Sequence, residues 1–134
     1  MTKHEVTQLS YAITGCAIRV HKELGPGLLE SVYQQCLRYE LRRQGFDVIH
    51  QVIVPVAYGN MILDTELRLD LLVNDTVVVE LKAVEQLHPV YEAQLLTYMK
   101  LLQKPQGLLI NFFTDKITRS MKPLVNEYFR LLDD

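Results

Sequence analysis

Val6, Leu9, Ile13, Cys16, Ala17, Val20 and Leu24 recur mostly at steps of three and four, one face of an amphipathic helix. Gly25-Pro26-Gly27 ends it, because proline has no amide hydrogen and glycine accepts a left-handed cap. A second helix is predicted from about Leu28 to Arg43, with Leu29, Val32, Cys36 and Leu37 on its buried side and Gly45 as C-cap. From Asp47 the period changes. Val48 to Ala57 is rich in β-branched residues and reads as a strand. Gly59-Asn60 signals a turn. Met61 to Val73 is a second strand, interrupted at Asp64-Thr65, and Thr76 to Ala83 a third. Pro89 opens a helix to about Leu102, which Lys104-Pro105-Gln106-Gly107 breaks. Leu108 to Phe113 is nearly all apolar, as a strand covered on both faces would be. Ser120 is placed to cap a last helix through Leu132, with Leu124, Tyr128 and Leu131 along one side. The order is helix, helix, three strands, helix, strand, helix: a mixed α/β domain with helices packed on a sheet.

Length adds that residues 1–134 suit one domain. A chain that is 49% hydrophobic and 22% charged has the balance of a globular protein, and no biased block marks a linker. The net charge of −2 weighs against tight non-specific binding of nucleic acid, which rests on neutralised phosphates, but leaves room for a local basic patch. Lys100, Lys104, Lys116, Arg119 and Lys122 cluster late and read as solvated surface. No segment has the pattern of a signal peptide or is long enough to span a bilayer, so the expectation is a cytoplasmic protein with no membrane partner. Cys16 and Cys36 are too few for a disulfide scaffold and are expected as buried free thiols. His4, His21, His50 and His88 lack metal-ligand spacing and read as surface or incidental.

The chemistry lies in Arg68-Leu69-Asp70-Leu71-Leu72-Val73 and Val78-Val79-Glu80-Leu81-Lys82-Ala83. Alternate side chains of a strand share a face. Glu80 and Lys82 therefore point together, opposite Val79 and Leu81, and Asp70 points opposite Leu69, Leu71 and Val73. Charge within such strands is costly unless compensated. A salt bridge from Lys82 to one carboxylate is one explanation. The other is a shared divalent cation, which removes the repulsion of two carboxylates. Hard oxygen ligands suit Mg or Mn, and the lysine would position or deprotonate a water or stabilise transition-state charge. Parity constrains this site. For Asp70 and Glu80 to share a face of an antiparallel pair, opposite residues must have an even index sum. A bare two-residue Asn74-Asp75 turn gives an odd sum. The loop is therefore predicted to have three residues, Asn74-Asp75-Thr76 or Val73-Asn74-Asp75, unless a bulge restores parity.

Asp70 followed by Glu80-Leu81-Lys82 resembles the D…ExK signature of the PD-(D/E)xK nuclease superfamily, with Leu69 in place of the proline. Gly27-Leu28-Leu29-Glu30-Ser31-Val32-Tyr33 resembles the GxxExxY motif that names a bacterial family within it. His21 to Gly27, Glu80 to Val84, Gln94 to Tyr98 and Gly107 to Phe112 look like the same family, so the resemblance covers roughly Ile13 to Phe113. It implies a restriction-endonuclease-like core: a mixed central sheet, three antiparallel strands, then a helix and a further strand, flanked by helices. It implies hydrolysis of DNA or RNA phosphodiester bonds by a metal-activated water, with nucleic acid as partner and Mg or Mn as cofactor. By that pattern Asp70, Glu80 and the Leu81 carbonyl oxygen are metal ligands and Lys82 is the catalytic lysine. Glu30 matches an added acidic residue, with a helix-terminal charge as its other reading. Gln94 matches a glutamine facing the site from the next helix, and Tyr98 shares its face. Tyr33 reads as packing. Tyr91 stands where many relatives have histidine. The competing function is a catalytically silent binding or regulatory protein of the same fold. Oligomeric state, a homodimer included, is left open.

Overall fold

Thr2 starts α1 (Lys3–Leu24) in the computed structural model, which describes residues 1–134. The Thr2 hydroxyl accepts the Glu5 amide and the Glu5 carboxylate accepts the Thr2 amide, so two end donors are satisfied reciprocally. Gly25 and Gly27 end the helix at φ +69° and +104°, a region that favours glycine. α2 (Glu30–Arg43) begins later than the apolar pattern alone gives. Leu29, expected on its buried side, is the extended N-cap residue and is 74% exposed.

The apolar stretch from Val48 divides into β1 (Val48–Ile53) and β2 (Val56–Tyr58). Pro55 lies between them, and without an amide hydrogen it cannot continue a ladder. β2 pairs with β3 (Met61–Leu63) as a separate two-stranded ribbon turned at Gly59. β4 (Arg68–Val73), β5 (Val77–Lys82), α3 (Pro89–Leu102) and β6 (Gln106–Asn111) follow. The expected last helix from Ser120 to Leu132 is a correction. A 3-10 turn (Ile117–Ser120) leads into β7 (Met121–Val125), and only α4 (Glu127–Arg130) is helical. Pro123 accounts for this. Inside a helix it would remove a hydrogen bond and clash, whereas an edge strand tolerates it.

The main sheet has the order β1-β4-β5-β6-β7, and β7 is such an edge. β5 and β6 run parallel, while the other neighbours are antiparallel. The result is the expected mixed α/β sheet with flanking helices. α1 and α2 cover one face over Leu71, Val73, Val77, Val79, Leu108 and Ile110. α3 covers the other, with Leu95, Tyr98 and Met99 on Leu72, Val78 and Leu109. The face carrying Glu80 is therefore covered too. Cys16 is buried and Cys36 half-buried, both free. His21 corrects the surface expectation: it is buried at the end of α1, with Nε2 2.7 Å from the Thr114 carbonyl oxygen, so its polarity is satisfied inside. No helix is long and apolar enough to cross a membrane.

α3 packs directly over Gly107 of β6. A Cβ added there would lie 2.6 Å from Met99 Sδ and 3.0 Å from Leu95 Cγ, and both side chains are fully buried. Gly107→Ala is expected to destabilise the protein by about 1–3 kcal/mol through overpacking. Chemical denaturation of the two proteins checks this; an unchanged midpoint would show that α3 yields freely.

Candidate active site

The geometry of the site starts at a turn. Asn74 and Asp75 adopt φ +50° and +52°, and the Thr76 amide donates to the Val73 carbonyl at 3.0 Å. Asparagine and aspartate enter that left-handed region more readily than other non-glycine residues. The ladder then pairs Val73 with Val77, Leu72 with Val78 and Leu71 with Val79. Asn74-Asp75-Thr76 thus separates the strands, the first of the two predicted loops. Thr76 is the extra residue that makes the index sum even. Asp70 and Glu80 fall opposite each other on one face, as parity required.

The regular ladder stops at Leu71 and Val79. One step further, side chains replace backbone partners. The Asp70 amide donates to Glu80 Oε1 at 2.9 Å, and the Leu81 amide donates to Asp70 Oδ2 at 2.7 Å. The strands fork, and each carboxylate is held by the opposite strand. The β1 side is irregular at the same level. Pairing of His50 with Leu71 and Val52 with Leu69 brackets Gln51 opposite Asp70, yet the ladder skips it and its φ is +51°. Gln51 Nε2 donates to Gln34 Oε1 at 3.0 Å, and Gln34 Nε2 donates to the Asp70 carbonyl at 3.4 Å. A left-handed glutamine costs on the order of 1 kcal/mol, and it lies beside Asp70, whose amide and carbonyl are both bonded by side chains.

Burial pushes the Glu80 carboxyl up to about 8, and the Asp70 charge beside it adds to the rise. The Asp70 amide and Lys82 oppose it without reversing it. Asp70 is also raised, by burial first and by Glu30, against the lowering effects of the Leu81 amide and Lys82. Glu30, the first residue of α2, accepts the Ala83 amide on Oε1 at 3.3 Å. The structure therefore brings it to the end of β5, close enough for its charge to act on both other carboxylates. Tyr98 on α3 is raised by burial and then by Glu80 and Asp70, which sets that face of α3 against the fork. Gln94, one turn earlier, is exposed and makes no hydrogen bond to the others.

Lys82 forms no ion pair with Asp70, Glu80 or Glu30; the ion pairs of the chain lie elsewhere. The salt-bridge explanation of these buried charges therefore does not hold. The Lys82 ammonium sits over the Tyr91 ring, 4.5 Å from its centroid, a favourable cation–π contact that leaves its charge unneutralised. Tyr33 packs, as expected, and also holds the chain that delivers Glu30. Its hydroxyl donates to the Gly25 carbonyl at 2.6 Å and accepts the Leu28 amide at 3.1 Å, and its ring stacks on Phe112. Sequence reasoning missed Gln34, Gln51 and Asn111. Asn111 Oδ1 accepts the Val84 and Phe113 amides, and Nδ2 donates to the Val84 carbonyl, tying the chain after Lys82 to β6. No local pattern announces these residues, because each works across a long sequence separation.

No group of three or more His, Cys, Asp and Glu side chains is drawn together tightly enough to cage an ion. Asp70 and Glu80 each give one oxygen to a backbone amide, and the Gln51 side chain also reaches the Asp70 carboxylate, which lowers its pKa slightly. Such an open set of hard oxygens fits a cation that keeps several waters, such as Mg or Mn, better than a closed zinc site. A family model described as the PD-(D/E)XK nuclease superfamily matches residues 7–124. No curated protein and no solved structure matches. That match takes in the whole five-stranded sheet except Val125 at its edge, and with it the forked strands and Lys82. By sequence match and by fold, the chain belongs to the PD-(D/E)XK nuclease superfamily.

Proposed function

We propose that this protein is a metal-dependent nuclease that hydrolyses phosphodiester bonds of DNA or RNA, and that within its superfamily it is a GxxExxY member acting as a single cytoplasmic domain. Membership supports a nuclease-type function. The observation that carries the finer reading is the fork itself: a buried and a half-buried carboxylate, each held by a backbone amide, beside a lysine that forms an ion pair with neither. Asp70 and Glu80, with the Leu81 carbonyl, would hold Mg or Mn. The bound cation would neutralise the carboxylates, polarise the phosphate and lower the pKa of an attacking water. Lys82, free of an ion pair, is available to orient that water or stabilise negative charge on the phosphate. Glu30 adds charge at the mouth of the fork, and Gln94 is assigned to substrate or water from the exposed side of α3. The motif has a physical sense here. Gly27 supports the left-handed turn, Tyr33 pins that turn, and together they present Glu30 to Ala83.

The test is incubation of the purified protein with supercoiled plasmid, single-stranded DNA and RNA, in Mg, Mn or EDTA. Cleavage of at least one substrate with metal and none in EDTA is expected. Failure to cleave any of them while still binding would favour the silent regulatory relative.

A further inference from the structure

The exposed side of α2 carries charge that the fork does not account for. Gln34, Arg38 and Arg42 are spaced by four, so they form one stripe along the helix. Two adjoining surface hollows follow it. The first is lined by Ser31, Gln34, Gln35, Arg38 and His50. The second is lined by Gln35, Arg38, Tyr39, Arg42 and Arg43. No carboxylate lines either, although the chain as a whole has a net charge of −2. Arg43 shares Glu40 with Arg19, whereas Arg38 and Arg42 have no ion pair. Arg38 Nε is buried without any hydrogen-bond partner, a donor that lacks an acceptor within the chain.

The stripe also has a direction. It begins at Gln34, which bonds the Asp70 carbonyl at the fork, and runs toward the end of α2. Tyr39 lies along it, 62% exposed, with the Arg43 guanidinium 5.7 Å from its ring centroid. Arginines for phosphates beside an exposed aromatic ring for a base are the elements of a single-strand binding surface. In the late basic cluster Lys104 pairs with Asp75 and Lys122 with Glu92, and although Lys100, Lys116 and Arg119 have no ion pair, no surface hollow brings two of them together.

We propose that the Arg38–Arg42 stripe of α2, with Tyr39, is a track for the sugar–phosphate backbone of a single nucleic-acid strand that leads into the Asp70–Glu80 fork. The proposal rests on the nuclease reading of that fork. From Glu30 to Arg42 the helix rises roughly 18 Å, a span that a few nucleotides of a single strand cover. An oligonucleotide of a few tens of nucleotides therefore covers it.

The test is fluorescence anisotropy of the full chain with labelled single-stranded DNA and RNA in EDTA, across a salt series. Metal-dependent cleavage of the same strands is measured in parallel. Arg38→Gln/Arg42→Gln should weaken binding roughly ten-fold at low salt. It should lower the slope of log K against log salt by about 1.4, since each lost phosphate contact on a single strand is worth about 0.7. Cleavage should show a raised KM with kcat retained. Arg42→Gln alone, at an exposed position, should lower the slope by about 0.7 and guards against misfolding of the double variant. Lys100→Gln/Lys116→Gln should bind as wild type. Wild-type affinity and slope in both arginine variants, with cleavage intact, would overturn the track while leaving the nuclease reading standing. A wild-type protein that neither binds nor cleaves any strand would overturn both.

Discussion

Lys82→Ala is expected to lose cleavage by ~10²-fold or more in kcat while the protein stays folded. Both halves of this outcome follow from the geometry. The Lys82 ammonium is not tied to Asp70, Glu80 or Glu30 by an ion pair, so its removal strands no salt-bridge partner. What is lost is a contact over the Tyr91 ring and a modest attraction that lowers both carboxyls. Contacts of that kind are worth about 1 kcal/mol or less where partly solvated. In a reaction that builds negative charge on phosphate, the same cation in a partly water-excluded site counts for much more. Single-turnover cleavage with saturating Mn, beside thermal unfolding, separates the two. Full activity in a folded Lys82→Ala protein would remove the lysine from the mechanism.

In EDTA, stability is expected to fall as pH rises from about 4.5 toward 8, with Mn reversing the loss. Glu80 holds its proton more tightly folded than unfolded, with its carboxyl raised from 4.5 to about 8 by burial and by Asp70. Its stabilising contribution is therefore complete below 4.5 and disappears as pH climbs through the folded value. At ~1.4 kcal/mol per unit the effect reaches a few kcal/mol, and the upward shift of Asp70 acts in the same direction. A bound divalent cation takes the place of the proton, and at a hundred times its Kd contributes ~2.7 kcal/mol. Thermal unfolding from pH 5 to 8.5, with EDTA or Mn, would show this as a falling curve lifted by metal. Glu80→Gln should flatten the EDTA curve, and Asp70→Ala should lose the Mn shift. A level wild-type profile, or an equal Mn shift in Asp70→Ala, would refute the ion assignment.

The elements most legible in the sequence are those whose signals are local. α3 runs Pro89–Leu102, the bounds its Pro start and apolar length indicate, and Gln103 closes it with a left-handed cap. The loop between β4 and β5 was legible for a different reason. Side chains alternate strictly along a strand, so the requirement that Asp70 and Glu80 share a face asks for an odd loop or a bulge. The misread element, β7, shows the limit of periodicity. Leu124, Tyr128 and Leu131 are spaced like a helix face, but Pro123 and an open edge on β6 favour a strand. Whether that edge exists is not a local property.

What the sequence by itself determined is therefore the mixed α/β class, the common face of Glu80 and Lys82 along their strand, and the loop parity that a shared face with Asp70 requires. Tertiary structure decided how those groups are held. Only there do the Asp70 and Leu81 amides turn to the opposite carboxylates, Lys82 rest on Tyr91 instead of an acid, and Gln51 and Gln34 support the Asp70 backbone. Only there do Arg38 and Arg42 line hollows that hold no carboxylate, on a helix whose Gln34 bonds the Asp70 carbonyl, in a chain of net negative charge. The physical reason is range. Side-chain alternation and helix periodicity act over a few neighbouring residues and survive as pattern, whereas desolvation, charge pairing and hydrogen-bond exchange depend on which distant segments the packed core brings together.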